Sequence, residues 1–194
     1  TSAVRDAGNQ REFAACLLAN TGLTLDVCSG DVEALLSFLG AAGQKRAGMI
    51  DIGGGSTEIV IGQGRSMEFA DSLQMGAVRL FRQAPINTVK EAYAAVGRAA
   101  AILAPRQKEI LALRPPEEWY GVGGTFTTTA AIAQNIHWND RERIHGYSVT
   151  FAQVARVMEA LAAMPLEERA KLKGMQAQRA DIIVHGLAIL YCCM

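Results

Sequence analysis

No excess of charge of either sign is present in this sequence: 19 Lys and Arg balance 19 Asp and Glu over 194 residues. A chain without a basic surplus has no global electrostatic reason to coat DNA, RNA or an anionic membrane. Any anion it holds must be held locally, by backbone groups or a few placed side chains. Cysteine is sparse as well. Cys16, Cys28, Cys192 and Cys193 form no Cys-x-x-Cys pair, and the three histidines are not spaced near them as zinc ligands would be. Reduced thiols in a cytoplasmic protein are therefore expected, rather than a disulfide framework or a structural metal. The sequence also lacks a secretory signal, since Thr1-Ser2-Ala3-Val4-Arg5 meets charge at once. Its most apolar stretch, Ile182 to Met194, contains His185 and is too short to span a bilayer. There is no internal repeat and no low-complexity tract. An initiating methionine is missing at the start, and Tyr191-Cys192-Cys193-Met194 stops without a cap or polar tail, so both ends are expected to be cut.

What is present is enough for a core: 50% of the residues are apolar and 20% charged. Asn9 with Glu12 three positions on predicts a capped helix with Phe13, Cys16 and Leu17 on one face. After Thr21-Gly22, the alternation in Leu23-Thr24-Leu25-Asp26-Val27 predicts a short strand. Ser29-Gly30-Asp31 reads as a turn and cap, followed by a helix whose apolar stripe is Val32, Leu35, Leu36 and Leu39 and which Gly40 and Gly43 end. From Lys45 the pattern changes to strand, glycine turn, strand, turn and a third strand from Ser66 to Leu73, an antiparallel meander. An alanine-rich helix from Val89 to Glu109 follows. A strand at Glu118 to Val122 then runs into a helix from Thr125 to about Gln134. Two further helices are predicted, one with Phe151, Val154, Val157, Met158, Leu161 and Met164 inward, the other from Ala180 onward. The expected boundary lies near Ala42–Lys45.

Two glycine loops carry the candidate chemistry. In Asp51-Ile52-Gly53-Gly54-Gly55-Ser56-Thr57-Glu58, three glycines at a hairpin tip permit positive φ and close approach of a ligand. Successive N–H groups with the Ser56 and Thr57 hydroxyls can hold an anion, and Asp51 and Glu58 can hold Mg²⁺ through water. An ordinary hairpin with a flexible turn is an equally available reading of that composition. No Gly-Lys-Ser/Thr follows and the next element is a strand, which excludes a P-loop and a dinucleotide fingerprint. The second loop, Gly121-Val122-Gly123-Gly124-Thr125, joins a strand to a helix, where amides and dipole favour an anion; a tight turn capped by Thr125 fits equally. Two such loops together point to a cleft gripping phosphates from two sides. Glu33 and Arg5, taken alone, read as surface charges.

The segments TSAVRDA, SGDVEALLSFLG, DIGGGSTEIVIG, QMGAVRL, GVGGTFTTTAAI and RADIIVHGLAIL, in this order and spacing, resemble the exopolyphosphatase/guanosine pentaphosphatase family from first residue to last. The resemblance implies an α/β chain of the actin-like ATPase superfamily, in which two ribonuclease-H-like domains face each other across a cleft. Residues 1–43 would be the C-terminal part of a truncated first domain, and 44–194 a second domain of β-β-β-α-β-α-α order, itself cut at its end. It further implies Mg²⁺-dependent removal of terminal phosphate from polyphosphate or guanosine pentaphosphate. By motif position Glu33 would be the general base, Glu58 would orient the attacking water or the metal, and Asp51 would be the metal-side acid. Gly53, Gly54, Gly55, Ser56 and Thr57, with Gly123, Gly124 and Thr125, would bind phosphates, and Arg5 would contact the phosphate chain.

Two departures stand against the family pattern. Val32 and Leu35 replace an acid and a basic residue that usually flank the base, which alters the expected setting of Glu33. The family's first phosphate loop, Asp-x-Gly-x-Asn-Ser, has no counterpart and would lie before Thr1. The expectation is an intact parent that is a phosphohydrolase and a chain that is itself weakly active or inactive. The rival readings are an ATP-binding kinase or ATPase of the same superfamily and a non-catalytic polyphosphate or alarmone sensor. A homodimer is expected because the apolar face of the last helix needs covering.

Overall fold

The computed structural model describes residues 2–194; Thr1, which opens the expected first segment, lies outside the described residues. In chain order the helices and strands are α1 (Ser2–Arg5), α2 (Gln10–Thr21), α3 (Gly30–Ala42), β1 (Arg46–Ile52), β2 (Thr57–Gln63), β3 (Ser66–Leu73), α4 (Ala77–Gln83), α5 (Val89–Ala112), β4 (Trp119–Val122), α6 (Gly124–Ala133), α7 (Arg141–Ile144), α8 (Phe151–Ala162), α9 (Leu166–Arg169) and α10 (Ile183–Cys193). The sheet has strand order β3-β2-β1-β4, with β1–β2 and β2–β3 antiparallel and β1–β4 parallel. The meander and the later parallel strand are those the alternation and glycine turns predict.

The strand period of two divides the core into two layers. Ile50, Ile52, Ile59 and Ile61 point to one face, under α5, α8 and α10. Ala47, Met49 and Val60 point to the other, where Ala34, Phe38 and Ala42 of α3 cover them. Asp51 shares the parity of Met49, and Glu58 that of Val60. Toward the glycine end of the hairpin, the face beneath α3 thus changes from apolar to acidic.

Several local expectations are corrected. Asn9 precedes α2, but its side chain makes no capping hydrogen bond, and α2 buries no residue, so Phe13 is exposed. Residues 23–27 form no strand. Ser29 does cap α3, its hydroxyl accepting from the Val32 N–H. The buried face of α3 is Ala34, Phe38 and Ala42, however, while Val32 is 44% and Leu36 62% exposed. Small Ala34 and Ala42 let the helix approach the sheet and leave the bulkier row outside. The helix ends at Gly43 and runs through Gly40. Residues 183–190 of α10 are buried among α4, α5 and α8, so the uncovered apolar face on which the dimer expectation rested is absent. The four cysteines are free. No helix among the described residues is long and apolar enough to cross a membrane.

His185 ties α10 to α4. Its Nε2 donates to the Ala84 carbonyl at 2.9 Å, and its ring meets Phe81 edge-on. Burial holds its pKa below the ordinary value, a shift that nearby Arg98 and Arg169 reinforce. The unfolded chain therefore takes up this proton first as pH falls. The stabilisation is complete above about pH 6.5 and is lost as pH drops through the folded value. Thermal melts from pH 7.5 to 5 should show the midpoint falling below about pH 6.5. His185→Gln, which keeps a donor for Ala84, should flatten that fall; an unchanged profile would remove His185 as its cause.

Candidate active site

The β1–β2 register sets Asp51 directly opposite Glu58. Like charges facing each other across an antiparallel pair are destabilising, and Glu58 is only 5% exposed, so the pair is costly for the fold. Two hydroxyls offset part of that cost. Ser56 Oγ and Ser72 Oγ, the latter across β3, both donate to Glu58 Oε1 at 2.7 Å. The other oxygen, Oε2, has no hydrogen-bond partner among the described residues and is not sealed from solvent.

Between the two acids the loop is shaped by close contact, not by left-handed backbone. None of Gly53, Gly54 and Gly55 has a positive φ, which corrects the expectation from composition. A Cβ at Gly53 would lie 3.2 Å from the Ser56 carbonyl, and one at Gly54 3.3 Å from the Val78 side chain. The N–H groups of Gly54, Gly55 and Ser56 donate to no protein acceptor among the described residues and can serve an anion. The Thr57 side chain does not join them. Its hydroxyl donates to the Met75 carbonyl at 2.5 Å inside the sheet, so its placement as a phosphate donor is not supported.

Helix α3 supplies the facing groups. Glu33 and Ser37 lie one turn apart, on one row of the helix. Ser37 Oγ donates to Asp51 Oδ2 at 3.3 Å. Arg5 Nη1 donates to Glu33 Oε2 at 2.5 Å, and its guanidinium also packs near Gly30. Arg5 thus supplies, from α1, the basic partner that Leu35 cannot. Its own pKa is raised, first by this hydrogen bond to Glu33. Asp51 is pushed above the usual carboxylate range, first by burial and then by Glu58 and Glu33, with Ser37 opposing. Three acids therefore bear on one small region.

The second glycine loop forms the opposite wall. Asp51, Gly53, Gly54, Ala77, Gly123, Gly124 and Thr125 line a cleft of about 260 Å³, together with Arg179. Gly123 has φ +94°, and a Cβ there would lie 3.0 Å from Asp51 Oδ1, so glycine is required on both counts. Gly123, not Thr125, precedes α6 as its cap; the Thr125 hydroxyl is turned toward Gly186. Arg179 lies directly over Gly124, its Nε donating to Gln176 Oε1 at 2.9 Å.

The geometry brings together Arg5, Glu33, Asp51, Glu58 and the two glycine loops. Ser37, Ser72, Arg79 and Arg179 join them, and the sequence alone gives none of the four a place in the site. For Ser72 the signal is its register opposite Glu58, which appears only once β2 and β3 are paired. No group of three or more His, Cys, Asp or Glu placed to cage a metal occurs among the described residues. Mg²⁺ needs no such cage: it keeps its waters and takes one or two carboxylates with substrate phosphates. Asp51, raised first by burial and then by neighbouring negative charge, and Glu58, with an open oxygen, fit that mode of binding.

A mixed 3-2-1-4 sheet whose first hairpin carries a glycine loop between two acids, facing a second glycine loop at a helix start, is the arrangement of a chain of the actin-like ATPase fold. More narrowly, the chain belongs to the Ppx/GppA phosphatase family, whose pattern it matches over residues 1–194. It is 33% identical to exopolyphosphatase 2 of Mycobacterium tuberculosis, over 98% of this chain and 63% of that protein. Its identity to the guanosine-5'-triphosphate,3'-diphosphate pyrophosphatase of Vibrio cholerae is 30%, over 98% of this chain and 38% of that protein. The crystal structure of the Aquifex aeolicus family member superposes with a TM-score of 0.76 at 29% identity, over 98% of this chain and 63% of that one. An exopolyphosphatase-like protein of known structure superposes at 0.86 with 26% identity, over 99% and 64%. The chain thus spans less than two thirds of the length of these relatives.

Proposed function

We propose that this chain carries the catalytic base and two phosphate loops of a cytoplasmic, Mg²⁺-dependent phosphohydrolase that removes terminal phosphate from polyphosphate or guanosine pentaphosphate. The observation that carries this reading is the half-buried Asp51 facing the buried Glu58, set against Glu33 and the amides of residues 54–56, which have no acceptor among the described residues. A fold tolerates such converging carboxylates where a bound cation neutralises them. In phosphoryl transfer the protein mainly positions the water and balances charge. Glu33 would accept the proton as the water oxygen attacks the terminal phosphorus and the bond to the next bridging oxygen breaks. Arg5 fixes the Glu33 carboxylate, Ser56 and Ser72 fix Glu58, and Ser37 fixes Asp51. The loop amides and Gly123–Gly124 would hold the phosphates. Mg²⁺, held by Asp51 and Glu58 with the substrate, would supply charge neutralisation. Residues 1–43 and 44–194 are proposed to belong to the two facing domains of the cleft.

One observation favours a second reading, a non-catalytic phosphate sensor. Glu33 Oε2 is closed onto Arg5 Nη1 at 2.5 Å, so that oxygen is turned to the guanidinium rather than to a substrate water. Phosphate release from both substrates, with Mg²⁺ and with a chelator, separates the two. Chelator-sensitive turnover supports the hydrolase; tight binding without turnover supports the sensor.

A further inference from the structure

The carbonyls of the glycine loop are all drawn to one side. Gly53 O accepts from the Ala77 N–H at 3.0 Å, and Gly54 O from those of Val78 and Arg79 at 2.9 and 3.0 Å. Gly55 O accepts from Arg79 Nε at 2.7 Å. The first-turn amides of α4 are thereby consumed by the loop and hold no ligand themselves. What they accomplish is orientation: with three successive carbonyls pinned, the amides of residues 54–56 are left without protein acceptors.

Arg79 is the last peg in this row and the only one carrying charge. Its Nε is spent on Gly55, whereas Nη1 and Nη2 have no acceptor among the described residues and are not sealed from solvent. A guanidinium presents its donors in a rigid planar fork, so the outer N–H groups stay within a few ångströms of the loop tip. Three carboxylates, Asp51, Glu58 and Glu33, bear on the same site, and Arg5 is already committed to Glu33. A polyanion approaching those carboxylates is repelled unless positive charge offsets them; Arg179 stands over the second glycine loop, and Arg79 adds a charge at the first.

We propose that Arg79 positions the phosphate loop and contacts the phosphate chain, Nε fixing the Gly55 peptide while the outer guanidinium nitrogens bind phosphate oxygens. This rests on the phosphate-chain reading of the site. The sequence alone gives Arg79 no role; the hydrogen bond to Gly55 places it at the loop.

Inorganic tripolyphosphate binding, measured by calorimetry over a salt series at fixed Mg²⁺, tests it. Arg79→Gln should weaken binding about tenfold, and the dependence of log Kd on log salt should fall by about one unit, the signature of one lost ionic contact. Arg79→Lys keeps the charge and should retain the wild-type slope while losing part of the affinity, because an ammonium cannot peg Gly55 and fork onto phosphate together. It also carries the test if the glutamine variant folds poorly. A wild-type affinity and slope in Arg79→Gln overturns the proposal. So does equal weakening of both variants with an unchanged slope, since that assigns Arg79 to loop structure alone. Failure of the wild type to bind tripolyphosphate would instead overturn the phosphate-chain reading on which it stands.

Discussion

Glu33→Gln is expected to lower phosphate release at least about a hundredfold, the scale on which a positioned general base contributes. The substitution preserves length and shape and removes only the ability to take a proton. Glu33 sits in the first turn of α3, where its side chain is 31% exposed, so the fold depends on it weakly. The Arg5 contact changes from an ion pair to a neutral hydrogen bond, and the melting temperature should move little. Tripolyphosphate affinity should hold or rise slightly, because one negative charge leaves the cleft. The measurement is turnover of the intact parent and its variant on polyphosphate and guanosine pentaphosphate, with binding followed in parallel. A fall in turnover of less than about tenfold would remove Glu33 as the base. Glu58 would then be the acid to examine, because its Oε2 has no hydrogen-bond partner among the described residues while two serines hold Oε1 in place. Unchanged binding with no turnover in either form would favour the sensor.

Much of this site was legible because it is local. Asp51, the three glycines and Glu58 occupy eight consecutive residues, and strand alternation on either side fixes the hairpin that presents them. The second glycine loop is legible for the same reason, lying where a strand becomes a helix. What sequence could not give is the identity of groups that arrive through packing. Ser37 reaches Asp51 because Ala34 and Phe38 turn α3 that way, and the competing stripe of Val32, Leu35, Leu36 and Leu39 was the more apolar choice on paper. Ser72 reaches Glu58 across a register that includes an irregularity at Ile61/Gly62. Helix α4 is only seven residues long and was not predicted at all, yet its amides set the shape of the loop. The reading of Gly53–Gly55 as left-handed failed for a related reason. Glycine is needed there for what packs against the loop, and that neighbour is invisible from the loop's own sequence.

The same neighbour supplies the second large effect. Gly76 precedes α4 with φ −122° and ψ 162°, a conformation open to any residue, so backbone preference gives no reason for glycine there. The reason is steric. A Cβ at Gly76 would lie 2.3 Å from the Gly54 carbonyl oxygen, 2.4 Å from the Gly54 carbonyl carbon and 2.5 Å from that of Gly55. All three are backbone atoms of the phosphate loop, with no flexible side-chain end that could swing aside. Gly76→Ala must therefore push the loop and α4 apart by roughly 1 Å, and a misplacement of that size at a reacting centre costs on the order of a hundredfold in rate. Overpacking of this kind destabilises by about 1–3 kcal/mol, which lowers the melting temperature by several degrees in a chain of this length. Gly97→Ala separates the site effect from a general one. Gly97 lies within α5 with nothing within 4 Å of a built Cβ, so the substitution should raise stability by up to about 1 kcal/mol through helix propensity and leave turnover alone. Comparable turnover in Gly76→Ala and wild type would mean that the loop adjusts without loss. In that case the row of hydrogen bonds from α4 would not be what holds the amides of residues 54–56 in their working orientation.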